Sequence, residues 1–372
     1  MPLSSRGEAS PGMWRREAGT VVRRVVALPE QETAPFVIIA GFRIPRVPTE
    51  WAPHAHSSHE LVWVRGGTLT SRVEDRVFTV SEGYGLWMPA GVVHGGRATA
   101  AVAAVVAHAR RRELAQVKWE EWTARPEDAA AAGFVSMRPP LARSEGAAGP
   151  AAGHVRWLHD DAVAEPPYYG QTTHFTCGAV TALVAQAHAG TLPGEALDRR
   201  AELTLWRDAT NLLACEPVGL GVAVRRTWPS SPVTVHLDTE RPVLLDHLPE
   251  QEQEWRALLQ RTSRADAGRI GVPVDPRRLS LTTIRDAIRR REHVLLLLSL
   301  TRMRGFDVPH WVLCHGTVPG AVVIEDPWAD AATGDTWVDA HLLPVPDPSL
   351  DTMSTLSPDR FRGAVTIGRP RP

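Results

Sequence analysis

The sequence predicts a two-domain protein, in which an all-β domain is followed by an α+β domain, and three observations support this fold class. The length of 372 residues is more than one compact core usually needs. From Phe36 to about Ala107, short apolar runs are separated by polar breaks about every eight to twelve residues, a spacing typical of β-sandwiches and barrels. After residue 165, patterns of helical period are mixed with apolar strands.

Composition indicates the boundary between the two domains. Residues 138–153 are rich in Pro, Gly and Ala and cannot build a core of their own. The chain therefore divides into a lead-in, a β-domain, a linker and an α+β domain, at 1–34, 35–125, 126–164 and 165–372. Within the β-domain, the apolar run from Ala100 to Val106 is predicted to be the last strand.

Charge and composition exclude several classes of partner. The formal net charge is −1, so bulk electrostatics predicts neither a nucleic acid nor an anionic membrane as partner. The strongest apolar runs are far too short to span a bilayer. Three cysteines are too few for a disulfide framework, and the first 29 residues lack the apolar core of a signal peptide. We therefore expect a cytoplasmic protein.

The stretch around Cys177 is the first candidate for catalysis. Cys177 directly precedes a small, apolar, helix-forming run, so its thiol is predicted at a helix N-terminus, where backbone N–H groups and the helix dipole favour a thiolate. Gln171, six residues earlier, is placed to donate an amide hydrogen bond to an oxyanion formed beside the sulfur. The alternative is a buried Cys177 that merely opens a core helix.

A nucleophilic cysteine needs a base and a group that orients the base, and a predicted hairpin offers both. Two apolar strands, at 309–316 and 321–326, are joined by a Pro-Gly turn. If the turn centres on residues 318 and 319, His310 lies opposite residue 326 or 327, with Cβ atoms about 5 Å apart. Asp326 then fixes the tautomer of His310 and leaves the other ring nitrogen for Cys177. Taken singly, His310 can equally be a core histidine and Asp326 a turn cap.

Other residues compete for these roles and are less well placed. His315 has the opposite strand parity to His310 and is expected to point away from it. Cys314 lies in the middle of an apolar strand, where a thiol is typical of a core, and Cys215 is also expected to pack in the core. His174 lies close to Cys177 in sequence and is expected to shape substrate access.

The C-terminal region resembles the papain-like cysteine peptidase superfamily, and within it the bacteriocin-processing-peptidase-like proteins of bacteria. The matching segments are Gln171-Thr-Thr-His-Phe-Thr-Cys177-Gly, Leu205-Trp-Arg-Asp-Ala-Thr210, Pro309-His310-Trp-Val, Asp326-Pro-Trp and Phe361-Arg-Gly-Ala-Val-Thr-Ile367. The resemblance covers about 165–368 and implies a papain-like α+β fold. It also implies Cys177 as nucleophile, His310 as base, Asp326 as orienting residue and Gln171 as oxyanion donor. Cys-Gly-Ala here departs from the more usual Cys-Gly-Pro.

The β-domain carries a second candidate site. The order is His54-x-His56-x-x-x-Glu60, followed by Gly83-x5-Pro89-x-Gly91-x-x-His94. In a regular strand, residues 54, 56 and 60 share one face, and His94 follows a turn. Three imidazoles and a carboxylate that converge in a barrel can hold a divalent metal with open positions, and Zn, Fe, Mn or Ni all suit this ligand set. The alternative is a set of ordinary polar residues on a barrel surface.

This segment resembles the cupin superfamily, and most closely the small cupin at the N-terminus of arabinose-regulator-type transcription factors. The segments that carry the resemblance run from Glu60-Leu-Val-Trp-Val to Pro89-Ala-Gly-Val-Val-His94. The resemblance covers about residues 35–110 and implies a jelly-roll barrel with a metal held by His54, His56, Glu60 and His94. The DNA-binding half of those regulators has no counterpart in this sequence.

Together, these patterns predict a cysteine-nucleophile hydrolase or acyltransferase that acts on an amide, a peptide or a thioester. The substrate is expected to be a peptide or a carrier-bound small molecule, and the metal-binding cupin to be a regulatory or second catalytic site. Two alternatives stay open. The cupin can be a metal-dependent oxygenase or isomerase, or it can be a small-molecule sensor beside a peptidase-like domain with a binding role. A homodimer through the cupin is also predicted.

Overall fold

The computed structural model describes fifteen segments of the chain, and every structural statement below concerns these residues. They are 50–54, 60–64, 68–73, 76–81, 84–88, 94–97, 99–120, 126–141, 152–159, 163–209, 214–246, 248–305, 307–329, 335–356 and 360–370. Within these ranges, no helix is both long enough and apolar enough to cross a membrane.

The described N-terminal strands lie in two separate sheets. They are β1 (Glu50–His54), β2 (Glu60–Val64), β3 (Thr68–Val73), β4 (Arg76–Ser81), β5 (Tyr84–Met88) and β6 (His94–Arg97). One sheet is antiparallel with the order β1-β6-β3-β4, and β2 pairs antiparallel with β5 in the other. This pairing fits the predicted β-rich character, while closure into a jelly-roll barrel stays a prediction.

The strand predicted at Ala100–Val106 is wrong, because these residues belong to helix α1 (Thr99–Arg111). Val102, Val106 and Ala109 are buried, and their spacing of four and three residues marks one face of a helix. Alanine has the highest helix propensity of the residues, and the run lacks the alternation of a half-buried strand. The chain therefore leaves the β-rich region through a helix.

The middle of the chain, which includes most of the predicted linker, forms a small sheet of its own. Its elements are β7 (Gln116–Glu120), α2 (Pro126–Ala131), β8 (Val135–Ser136) and β9 (Gly153–Trp157), with the antiparallel order β7-β9-β8. Met137 and Val155 pack in one apolar cluster with Trp337 and Val338 from near the C-terminus. The strands β8 and β9 thus flank the Pro-, Gly- and Ala-rich stretch, and their apolar partners lie about two hundred residues away in sequence.

Seven of the described strands form the sheet that dominates the C-terminal region. After β9 they are β10 (Val233–Leu237), β11 (Val274–Asp275), β12 (His293–Ser299), β13 (Pro309–Val318), β14 (Ala321–Glu325), β15 (Leu343–Pro346) and β16 (Gly363–Ile367). The order across the sheet is β11-β10-β16-β12-β13-β14-β15, and only the β10–β11 pair is parallel. The apolar run at β12 lies in the middle of this order and is buried on both faces, as its sequence predicts.

Helices cover both faces of this sheet. They are α3 (Cys177–His188), α4 (Arg199–Ala209), α5 (Pro217–Thr227), α6 (Glu250–Ile270), α7 (Leu281–Arg289), α8 (Thr301–Arg304), α9 (Trp337–Ala340) and α10 (Asp347–Met353). Residues of α3, α4 and α5 share one core with Trp311 and Leu313 of β13. Residues of α7 and α10 share a second core with Val312 and Cys314 on the opposite face. The mixed α+β class predicted for this domain is therefore confirmed.

Candidate active site

Helix α3 fixes the position of the Cys177 thiol. Cys177 is its first residue, and the side chains from Cys177 to Gln186 are buried, so the helix crosses the core of the domain. The Thr181 hydroxyl lies 2.7 Å from the Cys177 carbonyl oxygen and 3.2 Å from the Trp311 carbonyl oxygen, which ties the first turn of α3 to strand β13. The predicted position of the thiol at the tip of a helix is thus confirmed.

His310 and Asp326 form a buried pair on the β13–β14 hairpin. His310 Nε2 lies 2.7 Å from Asp326 Oδ1, and that oxygen also accepts a hydrogen bond of 2.9 Å from the Trp328 backbone N–H. The His310 and Asp326 side chains are only 4% and 1% exposed. Because Asp326 occupies Nε2, Nδ1 is the ring nitrogen left for the Cys177 thiol, which lies near enough to the ring to favour its charged form.

The hairpin reaches this arrangement in a different register from the predicted one. Val318 pairs with Ala321, so the turn consists of Pro319 and Gly320, and the register then shifts between Cys314 and Gly316. Leu313 pairs with Glu325. Continued by one residue, this register places Asp326 across from Val312, so that Asp326 is a diagonal neighbour of His310. Diagonal neighbours on one face lie within reach of long side chains, and the contact therefore survives the changed register.

The surroundings of His310 favour its protonated form. Burial alone disfavours the charged ring, but the Asp326 carboxylate and the hydrogen bonds to Asp326 and Cys177 outweigh burial and raise the pKa of His310 to about 10. An imidazolium is therefore expected at neutral pH. A cation held beside a thiol stabilises the thiolate, which is the form of cysteine that attacks carbonyl groups.

Gln171 reaches the same corner of the fold from the loop before α3. Its backbone N–H donates to the Pro327 carbonyl oxygen at 2.7 Å, which joins this loop to the segment that follows Asp326. Its side-chain Nε2 donates to the Thr173 carbonyl oxygen at 2.7 Å. This bond uses one of the two amide hydrogens and holds the side chain in one orientation, so the second hydrogen stays available as a donor.

Comparison with known families agrees with this geometry. A profile described as the Peptidase_C39 like family matches residues 166–368, which is more than half of the chain. The chain belongs to this family. A second profile, the AraC-like ligand binding domain, matches residues 48–132. Both resemblances predicted from the sequence are confirmed.

Two further comparisons concern solved structures and curated proteins. A crystal structure of a C39-like peptidase from Bacillus anthracis aligns over 57% of this chain and 100% of that chain, at 11% identity and a TM-score of 0.31. A search of curated proteins gives no match.

The competing residues of the C39-like domain lie in other surroundings. Cys314 is buried in the core on the α7 side of the sheet, where burial raises the pKa of its thiol to about 12. Cys215 is buried beside the first turn of α3, where burial, followed by the neighbouring Cys177, raises the pKa of its thiol. His315 lies near His188 and Glu325, and His174 is exposed. His310, in contrast, interacts with the Cys177 thiol.

One residue at this corner was not predicted from the sequence. Glu202 on α4 is fully buried, and its carboxylate accepts hydrogen bonds from Tyr169, Thr172 and Thr176, all in the segment that leads to Cys177. A signal for its burial exists. Glu202 stands three residues before Leu205 and seven before Ala209, on the buried face of an amphipathic helix.

The predicted metal ligands fall in the AraC-like region, where the structure describes part of the backbone. His54 ends β1 and His94 begins β6, and the two residues are paired across these strands. Glu60 begins β2, in the other sheet, so His54 and Glu60 belong to different strands. His56 lies outside the described residues. The metal and the homodimer therefore stay predictions.

Proposed function

We propose that the C39-like domain is a cysteine hydrolase or acyltransferase that acts on an amide, a peptide or a thioester. The observation that carries the proposal is the position of the His310 ring, which bonds to Asp326 through Nε2 and interacts with the Cys177 thiol. A nucleophile beside a base that is oriented by a carboxylate is the arrangement that covalent catalysis requires.

In the proposed reaction, the Cys177 thiolate attacks the carbonyl carbon of the substrate and forms a C–S bond. The carbonyl oxygen becomes an oxyanion, to which the second Nε2 hydrogen of Gln171 donates. When the oxyanion collapses, the bond to the leaving amine or thiol breaks, and the His310 imidazolium supplies its proton to the leaving group. His310 then takes a proton from a water molecule or an amine, which attacks the acyl group and releases Cys177.

The order of bonds around His310 supports these roles. Asp326 holds the ring through Nε2 and favours the imidazolium, so proton transfer at Nδ1 does not change the hydrogen bond that orients the ring. The loop contact from Gln171 to Pro327 couples the oxyanion donor to the segment that follows Asp326. The groups that must act together are thus joined by short contacts.

The substrate of this domain is proposed to be a peptide or a small molecule held on a carrier through an amide or thioester. The three free cysteines, Cys177, Cys215 and Cys314, support the proposal that the enzyme works in the reducing environment of the cytoplasm. A thiol nucleophile must stay reduced to react.

An acyl-transfer test needs no knowledge of the natural substrate. We expect 4-nitrophenyl acetate to release nitrophenolate in a burst equal to the amount of enzyme and to leave an acetyl group on the peptide that contains Cys177. Cys177→Ala should lose both signals, and the matched Cys314→Ala variant should keep both. A burst that survives Cys177→Ala, with the acetyl group on another residue, would refute the proposal.

A second assay tests the assigned oxyanion donor. Gln171→Ala is expected to lower the acetylation rate of Cys177 by about 10²–10³-fold, the usual effect of removing one such donor. Gln253→Ala is the matched control, because the Gln253 amide also donates to a backbone carbonyl oxygen, that of Leu248, and lies on α6. Equal rates for Gln171→Ala and the wild type would assign the oxyanion to other donors.

For the AraC-like region we propose ligand binding, with a divalent metal held by His54, His56, Glu60 and His94. The support from the structure is the pairing of His54 with His94 across β1 and β6, which brings two imidazole-bearing positions together. A bound ion would supply a Lewis-acidic position for a ligand. Elemental analysis of purified protein should show about one equivalent of Zn, Fe, Mn or Ni, and the His54→Ala/His94→Ala variant should show none. Equal metal content in both proteins would contradict this assignment.

A further inference from the structure

The carboxylate of Glu202 is a junction for the segment that precedes Cys177. Its Oε1 accepts from the Thr172 backbone N–H at 2.8 Å and from the Thr176 hydroxyl. Its Oε2 accepts from the Tyr169 hydroxyl at 2.9 Å and from the Thr172 hydroxyl at 2.9 Å. Glu202 itself is fully buried. Both oxygens of a buried charge are therefore bonded to one short stretch of chain.

This stretch is held by individual contacts, and Glu202 makes four of them. Residues 163–176 contain no helix or strand, although the stretch holds Gln171 and ends at Cys177. Regular elements hold their backbone with ladders of hydrogen bonds, whereas this segment depends on individual contacts. Hydrogen bonds to an ionised group are about twice as strong as those between neutral groups. Four of them on one carboxylate form a strong local restraint.

Helix α4 supplies a rigid base for this restraint. Leu205 and Ala209 lie on the same buried face as Glu202 and pack in the core that also contains Cys177. The carboxylate is therefore fixed relative to the core, and the segment is fixed relative to the carboxylate. A shift of α4 would move the segment that carries Gln171.

The hydrogen bond from the Thr176 hydroxyl to Glu202 also affects the tip of α3. Thr176 occupies the N-cap position, where a threonine hydroxyl normally accepts a hydrogen bond from the first turn of its own helix. Here it makes no such bond and contacts Glu202 and Thr173 instead. The N–H groups beside Cys177 are thus left without the hydroxyl that would otherwise compete for them.

We propose that Glu202 is a positioning residue for the reaction at Cys177, an inference that rests on the proposed function of the C39-like domain. Glu202 holds Thr172 and Thr176, and through them sets where Gln171 and the tip of α3 meet the reacting carbonyl. A displacement of about 1 Å at such a site can lower a rate by about 10²-fold. Glu202 touches neither substrate nor thiol in this role.

Three substitutions probe the junction in steps. Tyr169→Phe removes one donor and should have the smallest effect. Glu202→Gln keeps the shape, because one amide oxygen can still accept from the Thr172 N–H while the hydroxyls turn to accept from the NH₂ group, but it removes the charge. Glu202→Ala removes every contact. We expect the acetylation rate of Cys177 by 4-nitrophenyl acetate to fall in that order, by about 10–100-fold for Glu202→Gln.

Glu216 provides a matched control. It is also a buried glutamate, and it accepts hydrogen bonds from the backbone N–H groups of Val218 and Gly219 at the start of α5. Glu216→Gln should lower the thermal midpoint about as much as Glu202→Gln and leave the acetylation rate of the folded enzyme within about twofold. If the two variants lose rate in proportion to lost stability, Glu202 is merely structural and the proposal is overturned.

Alkylation by iodoacetamide separates failure of this proposal from failure of the proposed function. In the wild type, Cys177 should react at least about tenfold faster than Cys314, and Glu202→Gln should change the pH profile of that reaction as well as its rate. If wild-type Cys177 reacts no faster than Cys314, the proposed function itself fails. If it reacts fast, and Glu202→Gln keeps both the wild-type pH profile of alkylation and the wild-type acetylation rate, only the role of Glu202 fails.

Discussion

The C39-like domain holds two buried histidine–carboxylate pairs whose carboxylates belong to adjacent residues. The two pairs differ in one feature. Asp326 pairs with His310, while its chain neighbour Glu325 pairs with His341 Nδ1. In both cases burial opposes the charged ring, and the carboxylate raises the pKa of the histidine above its ordinary value. Charge and burial alone therefore do not distinguish a catalytic histidine from a structural one.

The distinguishing feature is the second ring nitrogen. His341 bonds to Glu325 through Nδ1 and to Glu165 through Nε2, at 2.9 Å, so both nitrogens are engaged by carboxylates. We call this the closed pair. His310 has one carboxylate partner and the Cys177 thiol beside it, and we call this the open pair. Only the open pair can pass a proton to a reacting group without loss of the bond that orients it.

Substitution of each histidine should give the largest contrast. His310→Gln is expected to lower the rate of Cys177 acetylation by about 10²–10⁴-fold, because it removes the imidazolium beside the thiol. His341→Gln is expected to leave the rate within about threefold. The measurement is the nitrophenolate burst at matched concentrations of folded protein. A larger loss for His341→Gln than for His310→Gln would reverse the assignment of the two pairs.

The closed pair should contribute to the stability of the protein and not to its reaction rate. His341→Gln leaves Glu325 buried without its cationic partner, and breaking a buried pair usually costs about 3–5 kcal/mol. Since the pKa of His341 is raised above 6.5 in the folded protein, the contribution of the ring is fully present below pH 6.5 and is lost as the pH rises through the folded pKa. Urea unfolding at several pH values should show a difference from wild type that shrinks as the pH increases.

The pH dependence of the open pair should depend on Asp326. In Asp326→Asn, burial acts on His310 without the carboxylate, so the pKa of the ring falls and the thiolate–imidazolium pair forms less readily. The pH at half-maximal acetylation rate should therefore increase by at least about one unit. Because thiol and imidazole titrate together, this limit belongs to the pair. Asp339→Asn is the control, and an unchanged profile in Asp326→Asn would show that Asp326 does not tune His310.

The smallest effect is expected for Lys118, which contacts the backbone of the closed pair at His341. Lys118, the only lysine of the chain, donates to the backbone carbonyl oxygens of Asp339 and His341, and its burial lowers the pKa of the ammonium to about 8. Lys118→Met should lower the free energy of unfolding by about 1–3 kcal/mol and leave acetylation unchanged. Arg156→Met, which removes a contact to the Ala132 carbonyl oxygen in the turn after α2, is the comparison. A change in acetylation rate would mean that the two pairs are coupled.

The parts of the site that the sequence could predict are those encoded locally. Cys177 stands directly before an apolar helical run, so the tip of the helix could be predicted. His310 and Asp326 stand on either side of a Pro-Gly turn, so the hairpin could also be predicted. The register was not, because the turn lies at Pro319 and Gly320, one residue later than predicted, and the strand shifts register again between Cys314 and Gly316. The predicted contact between His310 and Asp326 is therefore present, but the two residues are diagonal neighbours and do not lie directly opposite each other.

Features that depend on distant partners could not be read from the chain. The bonds of Glu202 join residues about thirty positions apart, and those of Lys118 join residues more than two hundred apart. Helix α6 was also missed, because only Gln260 and Ala267 of its residues are buried and no apolar period marks it. In the AraC-like region, some of the residues predicted from the sequence, such as His56, lie outside the described part of the structure.

Selective ¹⁵N labelling of histidine and NMR titration of the His310 ring test the central claim most directly. The signal is identified by its loss in His310→Gln. The open pair predicts an imidazolium at neutral pH that loses its proton near pH 10, and a lower pKa for the same ring in Cys177→Ala, while His341 is unaffected by that substitution. A His310 ring that is neutral at pH 7, or that titrates identically with and without the Cys177 thiol, would contradict the account.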